Sequence, residues 1–397
     1  MKRRLTLVAA AATLALAGCA SATPSSPSDS PSPTASAGHG AREGAQEVAE
    51  PQSALLSVSA DGEVGVLDLL SGEEQTLGTI GSPQAIASDG RYGFVTTDAG
   101  LEVVDGGAWS WDHGDHFHFY RGEPAVEGVV EGSGPAVVTG APLSTSGSTG
   151  IFFEGSGEAV ALDMEALDAG EIVERFRLDT GADSGVVAPA GEYTVVATDD
   201  GSGTAVYDAG GEVVEGAGEE CADPSGAVAT RVGTVIGCAD GALLATTDAG
   251  PVEFERIPYP SDEPRAEEFA GRKNRPTVAA LSGEQAFWLL DTRERSWTRA
   301  EVDRPLAQVV AADDADRNVV AVDADGRVVV FGPDGAERGA TDPIAGEGST
   351  LVVDAQRAYL SSPEAGVVYE IDYADGARVA RELATPTAPD AAIEVGR

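Results

Sequence analysis

The feature that most constrains the fold is a recurring pattern of short apolar runs separated by tight turns. Runs such as ALLSVSADGEVGVLDLLSG and RNVVAVDADGRVVVFGPDG alternate apolar with polar residues and break at Asp-Gly or Ser-Gly. Alternation with a period of two and glycine-containing turns is typical of strands joined as hairpins. The chain has 397 residues, and its 50 glycines suit a protein built largely of strands and turns. We therefore expect an all-β fold.

The apolar runs also recur at a spacing of roughly 44 residues, which is the length of one β-propeller blade. The segments that open the repeats begin near Gln84, Pro135, Gly185, Gly226, Phe269, Gln308, Ser349 and Ala391. This spacing predicts a β-propeller of eight blades, with seven as the alternative because residues 265–277 make a poor strand. The C-terminal DAAIEVGR would complete the blade formed by residues 54–77, which closes the ring without open sheet edges. An eight-stranded sandwich with a second domain is a less regular alternative.

The N-terminus carries the pattern of an export signal. Three basic residues at positions 2–4 precede the stretch LTLVAAAATLALAG, which is too short for a permanent membrane span. The sequence LAGC that ends in Cys19 resembles a bacterial lipobox, and this resemblance implies that Cys19 becomes the lipid-bearing first residue. The alternative is an ordinary signal peptide that contains a cysteine. We predict a signal peptide over residues 1–18 and a lipid-anchored protein on the extracytoplasmic face of the cell membrane.

Residues 19–52 are rich in Ser, Pro, Ala and Gly and poor in large apolar side chains. Such a segment cannot bury enough surface to offset the entropy lost on ordering. We therefore predict a lipidated flexible tether over residues 19–52 and a β-propeller domain over residues 53–397.

The charge of the chain excludes several classes of function. It has 66 acidic and 25 basic residues, a formal net charge of −41. Such a surface repels nucleic acid and anionic lipid headgroups, so we expect no nucleic-acid partner. No glycine-rich phosphate loop precedes a helix, and no nucleophile elbow is present in the sequence. We expect a monomer that is not an enzyme.

Once Cys19 is assigned to the lipid, Cys221 and Cys238 are the two cysteines that remain. Exported proteins fold in an oxidising compartment, where such pairs are usually oxidised. We predict a structural disulfide between them.

The segment WSWDHGDHFHFYRG holds three of the four histidines of the chain within six positions. Neutral imidazole nitrogens suit Zn²⁺, and carboxylates can serve as further ligands or orient a histidine. Cu²⁺ and Ni²⁺ suit the same donors, so the ligands alone do not identify the metal. The alternative is a polar turn in which His and Asp pair for structural reasons. The candidate metal site consists of Asp112, His113, Asp115, His116 and His118.

The alternation of side chains along a β-strand predicts how the residues of this site are arranged. His116 and His118 fall on one face of the strand, and Phe117 and Phe119 fall on the other. Gly114 lets the chain turn before the strand, which would bring His113 or Asp112 round to complete the metal site.

The segment DHGDHFHFYRG is similar to one in the Azt-type zinc metallochaperones, a family of exported β-propeller proteins. The stretches GCADGALL, RIPYPSD, VVYEIDY and the final EVGR also resemble segments of this family, so the resemblance runs from about residue 53 to residue 397. It implies an extracytoplasmic chaperone that binds zinc and delivers it to the solute-binding protein of a zinc ABC importer.

The chain departs from this family at other positions. The resemblance implies single histidines ahead of the inner strands of other blades, where this chain has Ser225, Asn274 and Ala391, and a histidine-rich tether, where it has only His39. The local His/Asp motif therefore carries over, whereas a site shared among several blades does not. A metal-free cell-envelope scaffold, which presents its loops to a protein partner, is the alternative function.

Overall fold

The structure, a computed structural model, describes residues 40–397 except residues 43, 113–115, 202 and 248–249. The described residues form 34 strands and one short helix. The predicted signal peptide and the lipidation site at Cys19 lie outside the described residues. No helix in the described part of the chain is long and apolar enough to cross a membrane.

Eight sheets follow one another along the described chain, each made of antiparallel neighbours. The first four are sheet 1, with β2 (Ala54–Val58), β3 (Glu63–Asp68), β4 (Glu74–Thr79) and β34 (Ala391–Val395); sheet 2, with β5 (Ala85–Ser88), β6 (Tyr92–Thr97), β7 (Gly100–Asp105) and β10 (Ala125–Glu131); sheet 3, with β11 (Ala136–Thr139), β12 (Ser148–Phe153), β13 (Glu158–Asp163) and β14 (Glu174–Asp179); and sheet 4, with β15 (Gly185–Ala190), β16 (Tyr193–Thr198) and β17 (Thr204–Tyr207). The helix α1 (Met164–Asp168) follows β13.

The remaining four sheets each have four strands. They are sheet 5, with β18 (Ala227–Ala229), β19 (Thr234–Cys238), β20 (Gly241–Thr246) and β21 (Glu253–Pro258); sheet 6, with β22 (Glu267–Ala270), β23 (Thr277–Leu281), β24 (Ala286–Asp291) and β25 (Ser296–Glu301); sheet 7, with β26 (Leu306–Ala311), β27 (Val319–Asp323), β28 (Arg327–Phe331) and β29 (Glu337–Pro343); and sheet 8, with β30 (Leu351–Val353), β31 (Ala358–Ser362), β32 (Val367–Asp372) and β33 (Arg378–Leu383).

Consecutive sheets pack face to face through shared apolar clusters. Leu56 and Ile393 of sheet 1 pack with Val95 of sheet 2, and Leu55 of sheet 1 packs with Tyr359 of sheet 8. Similar clusters join each consecutive pair from sheet 2 to sheet 8. Middle strands such as β6 are buried on both faces, whereas the outermost β4 is largely exposed. The sheets therefore form a closed ring.

The ring closes where the two ends of the domain meet. The C-terminal β34 pairs with β2, with Ala54 opposite Val395 and Val58 opposite Ala391. The prediction of a β-propeller whose N- and C-terminal strands share one blade is thus confirmed. The ring excludes the alternative of a sandwich with a second domain.

One strand lies outside the predicted domain boundary. Residues 46–48, within the range predicted to be tether, form β1 (Gln46–Val48). This strand joins β8 (Ala108–Asp112) and β9 (Phe117–Arg121) in a separate three-stranded sheet. The segment is too short and too polar to predict a strand by itself, and its order comes from pairing with β9.

The disulfide is present as predicted. Cys221 is bonded to Cys238, the last residue of β19. Both residues are buried in the apolar cluster that sheets 4 and 5 share. The bond therefore ties the segment that enters sheet 5 to the middle of that sheet.

Candidate metal-binding site

The histidine motif lies on a hairpin that leaves the ring. After β7 the chain forms β8 and β9 before it returns to sheet 2 as β10. Trp111 lies opposite His118 in the hairpin, and β1 covers the other edge of β9. We call β8 and β9 the histidine hairpin. His113, Gly114 and Asp115, which connect its strands, lie outside the described residues.

His116 and His118 lie side by side on one face of the hairpin. Their Nε2 atoms are 3.0 Å apart, and their ring centroids are 4.7 Å apart. Phe117 and Phe119 lie on the opposite face, with their rings nearly parallel and 6.3 Å apart. This arrangement is the one that the period of two predicts. Two imidazole nitrogens therefore converge on one point.

Glu47 on β1 is a partner that the sequence did not reveal. Its Oε1 atom lies 2.6 Å from Nδ1 of His118. Because a carboxylate only accepts hydrogen bonds, Nδ1 of His118 donates, and in the neutral ring Nε2 then carries the lone pair. A carboxylate on the far nitrogen of a histidine is a common feature of metal sites, where it orients the ring and strengthens it as a ligand. Nothing in the sequence connects Glu47 to a residue 71 positions away.

The spacing of the two nitrogens is close to what a bound zinc ion requires. Zn–N bonds of about 2.0–2.1 Å in a tetrahedral site place two nitrogens about 3.3 Å apart. A small separation of His116 from His118 would therefore admit an ion between them. Among the residues that the structure describes, no three His, Cys, Asp or Glu side chains form a group that could hold a metal. The two Nε2 atoms are within hydrogen-bonding distance, and because Nε2 of His118 carries the lone pair, Nε2 of His116 donates. The described part of the site thus offers two imidazole nitrogens, and zinc would displace the proton that they share.

Asp112 does not lie beside this pair. It pairs with Phe117 in the hairpin, and directly opposed residues of an antiparallel pair share a face. Asp112 is therefore on the face away from the two histidines, where it lines a cavity of about 380 Å³. Asn274, where the resemblance implies a histidine in relatives, lines the same cavity. The strand register thus places Asp112 and the pair of His116 and His118 on opposite faces of the hairpin, while its relation to His113 and Asp115 lies outside the described residues.

The base of the hairpin contains stacked aromatic side chains that lie over a buried arginine. Trp109 stacks on Tyr120, with ring centroids 5.4 Å apart, and Tyr120 stacks in turn on His118 at 6.4 Å. Beneath Trp109 lies the buried Arg91, 3.8 Å from the ring centroid, which donates hydrogen bonds to both oxygens of Asp105. Burial lowers the pKa of Arg91, but Asp105 outweighs this effect, so the pKa is raised and the guanidinium stays charged. A continuous stack of side chains therefore leads from Arg91, beside sheet 2, to His118.

A second cavity of about 410 Å³ lies among the innermost strands of the ring. Lys273 lines it, and its Nζ donates hydrogen bonds to Ser144 Oγ at 2.9 Å and to the carbonyl of Arg397 at 3.2 Å. Burial lowers the pKa of Lys273 to about 8, an effect that Asp89 partly offsets. Asp89 and Thr139 also line it, and Oδ2 of Asp89 and Oγ1 of Thr139 are buried without a hydrogen-bond partner in the described part of the chain. The described residues of this cavity offer no second group of metal ligands.

Fold and site together define a β-propeller with a paired-histidine hairpin beside its ring. The chain is similar to AztD from Citrobacter koseri in two structures, one of them of the apo protein. Each has a TM-score of 0.72 and 19% sequence identity, and the match covers 88% of this chain and 99% of AztD. At this identity the likeness shows the fold, and it confirms the Azt-type resemblance of the sequence at that level.

Another similar structure shows that the fold alone does not separate enzymes from other proteins. The dihydro-heme d1 dehydrogenase NirN, in complex with DHE, has a TM-score of 0.52 and 14% identity, over 89% of this chain and 80% of NirN. No protein-family model matches the chain, and no curated protein matches it in sequence.

Proposed function

We propose that this protein is an extracytoplasmic zinc-binding metallochaperone that delivers zinc to the solute-binding protein of a zinc ABC importer. The observation that carries the proposal is the pair of Nε2 atoms 3.0 Å apart, with Glu47 on Nδ1 of His118. The likeness to AztD and the resemblance to the Azt-type family support it. Zinc is the cargo, and we propose no enzymatic activity.

A site with few protein ligands suits transfer. Structural zinc sites are closed by four protein ligands, whereas an open position allows an incoming ligand to bind. His116 and His118 would be the first ligands, and His113 and Asp115 are the nearest further candidates in the sequence. The receiving protein would supply its own ligands to the open side of the ion. Cu²⁺ and Ni²⁺ are competing ions because they prefer similar donors.

The proposed location follows from the N-terminal segment. A lipid on Cys19 and the tether would hold the propeller on the outer face of the cell membrane, where it could search for its acceptor. The strongly acidic chain would keep it from anionic lipid headgroups.

A zinc titration against a chromogenic chelator tests the site. We expect the chain without its predicted signal peptide to bind zinc, and a His116→Ala/His118→Ala variant to lose affinity by more than about 100-fold. This exceeds the roughly 10- to 100-fold loss typical when only an outer partner of a ligand is removed. His39→Ala, which removes the histidine outside the motif, is the matched control and should bind as the wild type does.

Equal affinity in the wild type and the double variant would contradict the proposal and favour the metal-free scaffold. Delivery is tested separately, by mixing the zinc-loaded protein with the apo form of a zinc-importer solute-binding protein. Transfer should be faster than the release of zinc to a chelator whose affinity for zinc equals that of the solute-binding protein. Transfer at the rate of spontaneous release would contradict the chaperone role.

A further inference from the structure

The described residues among 40–48, within the range predicted to be tether and before β2, lie along the histidine hairpin, and we call this segment the strap. Residue 43 within the strap is not described. The strap contacts the hairpin or its base at three separate points, and only the last of them is β-sheet pairing. These contacts tie the N-terminal segment of the described chain to the candidate metal site.

The first contact is at Gly40. Trp109 donates a hydrogen bond from Nε1 to the carbonyl of Gly40 at 2.9 Å. Gly40 has φ +78°, and a Cβ there would lie 2.5 Å from the ring of Trp111. Only glycine can combine this positive φ with so close an approach to the indole ring of Trp111. The strap therefore lies directly against both tryptophans of β8.

The second contact is an ion pair at the base of the hairpin. Arg42 donates a hydrogen bond from Nη1 to Oδ2 of Asp105 at 2.9 Å and lies 3.9 Å from Oε1 of Glu127. Asp105 is buried and also holds Arg91, while burial raises the pKa of Glu127, an effect that Arg42 and Arg91 oppose. Arg42 thus offsets negative charge where carboxylates are poorly solvated, which favours the docked strap.

The third contact is at the histidine itself. β1 pairs with β9 so that Glu47 lies opposite Tyr120, and from there its carboxylate reaches Nδ1 of His118. Glu47 is about half exposed, so its position depends on the pairing of β1 rather than on burial. If the strap left the hairpin, His118 would lose the partner that presents the lone pair of Nε2.

We infer that the strap is a positioning element whose docking on the hairpin and zinc binding at His116 and His118 favour each other, with Arg42 as the positioning residue. This inference rests on the proposed function. Because coupling between two events is reciprocal, a docked strap raises zinc affinity and bound zinc holds the strap in place. The segment leading to the membrane anchor would then sense whether the site is loaded.

The test combines zinc affinity with hydrogen exchange of the strap amides. Arg42→Ala should weaken zinc binding about 10-fold, in the range for loss of an outer partner, and Arg42→Lys should restore most of it. Arg304→Ala is the matched control, because Arg304, in the bend before β26, is about as exposed as Arg42 and forms ion pairs with Asp303 and Glu337. It should leave zinc affinity unchanged.

The exchange measurement detects coupling that a merely structural role would not produce. Zinc should slow exchange of the β1 amides several-fold in the wild type and leave it unchanged in Glu47→Ala. If the wild type binds zinc through His116 and His118 but zinc does not alter strap exchange, or Arg42→Ala binds as tightly as the wild type, the inference fails and the proposed function stands. If the wild type shows no histidine-dependent binding, both fail.

Discussion

Two glutamates show how differently the fold uses one residue type. Glu47 is about half exposed and orients His118, whereas Glu394 on β34 is fully buried, with Oε2 3.2 Å from Nε of Arg397. Burial, only partly offset by Arg397, raises the pKa of Glu394 to about 7. Glu394 therefore binds a proton more tightly in the folded protein than in the unfolded chain.

This pKa predicts that the contribution of Glu394 to stability falls as the pH rises from about 4.5 to about 7. In that window the unfolded chain releases the proton of Glu394 while the folded protein retains it, which costs on the order of 3 kcal/mol once the pH exceeds 7. Glu394→Gln mimics the protonated form, so it should be more stable than the wild type at pH 8 and similar at pH 5. Urea unfolding at both pH values measures this. An identical pH dependence in both proteins would contradict the prediction.

At the scale of elements, the histidine hairpin needs support because it is an insertion between β7 and β10. Its own strands are short, and a hairpin of this size is barely stable in isolation. The stack of Trp109 on Tyr120 above Arg91, together with β1, supplies the missing packing. The candidate site is therefore held by residues from three distant parts of the chain.

At the same scale, the disulfide bonds the segment that precedes sheet 5 to β19 of that sheet. The bond joins residues 17 positions apart, and a closed loop of this size contributes about 3 kcal/mol in the chain-entropy description. We expect a Cys221→Ser/Cys238→Ser variant to lose stability of this order in denaturant unfolding. Reductant should destabilise the wild type and leave the variant unchanged. A variant as stable as the wild type would show that the packing of sheets 4 and 5 suffices.

At the scale of the whole molecule, a closed ring of sheets carries a large negative charge. Each sheet packs on the next, and β34 beside β2 removes the open edge. The formal charge of −41 opposes this compact state through self-repulsion. Stability should therefore depend on ionic strength.

We expect the thermal unfolding midpoint to rise as NaCl increases from about 0.01 M to about 0.15 M, because the Debye length falls from about 30 Å to about 8 Å. KCl should give the same rise, since screening depends on ionic strength rather than on the ion. A midpoint that falls or stays constant in both salts would show that self-repulsion contributes little.

Several features follow from local sequence because their physical cause is local. The alternation in HFHF put His116 and His118 on one face, and turn dipeptides with a regular spacing indicated the propeller. The two cysteines were paired correctly because no other partner remained once Cys19 was set aside. In each case the covalent geometry of a strand or simple counting was sufficient.

The sequence by itself determined the all-β propeller, the joining of its two ends, the disulfide and the common face of two histidines. Only the tertiary structure decided that Glu47 orients His118, that Arg42 reaches Asp105, and that Asp112 lies on the far face of the hairpin. Periodicity reports which way a side chain points within its own strand. The path of the chain between residues 47 and 118 depends on packing over the whole ring, and no local pattern encodes it.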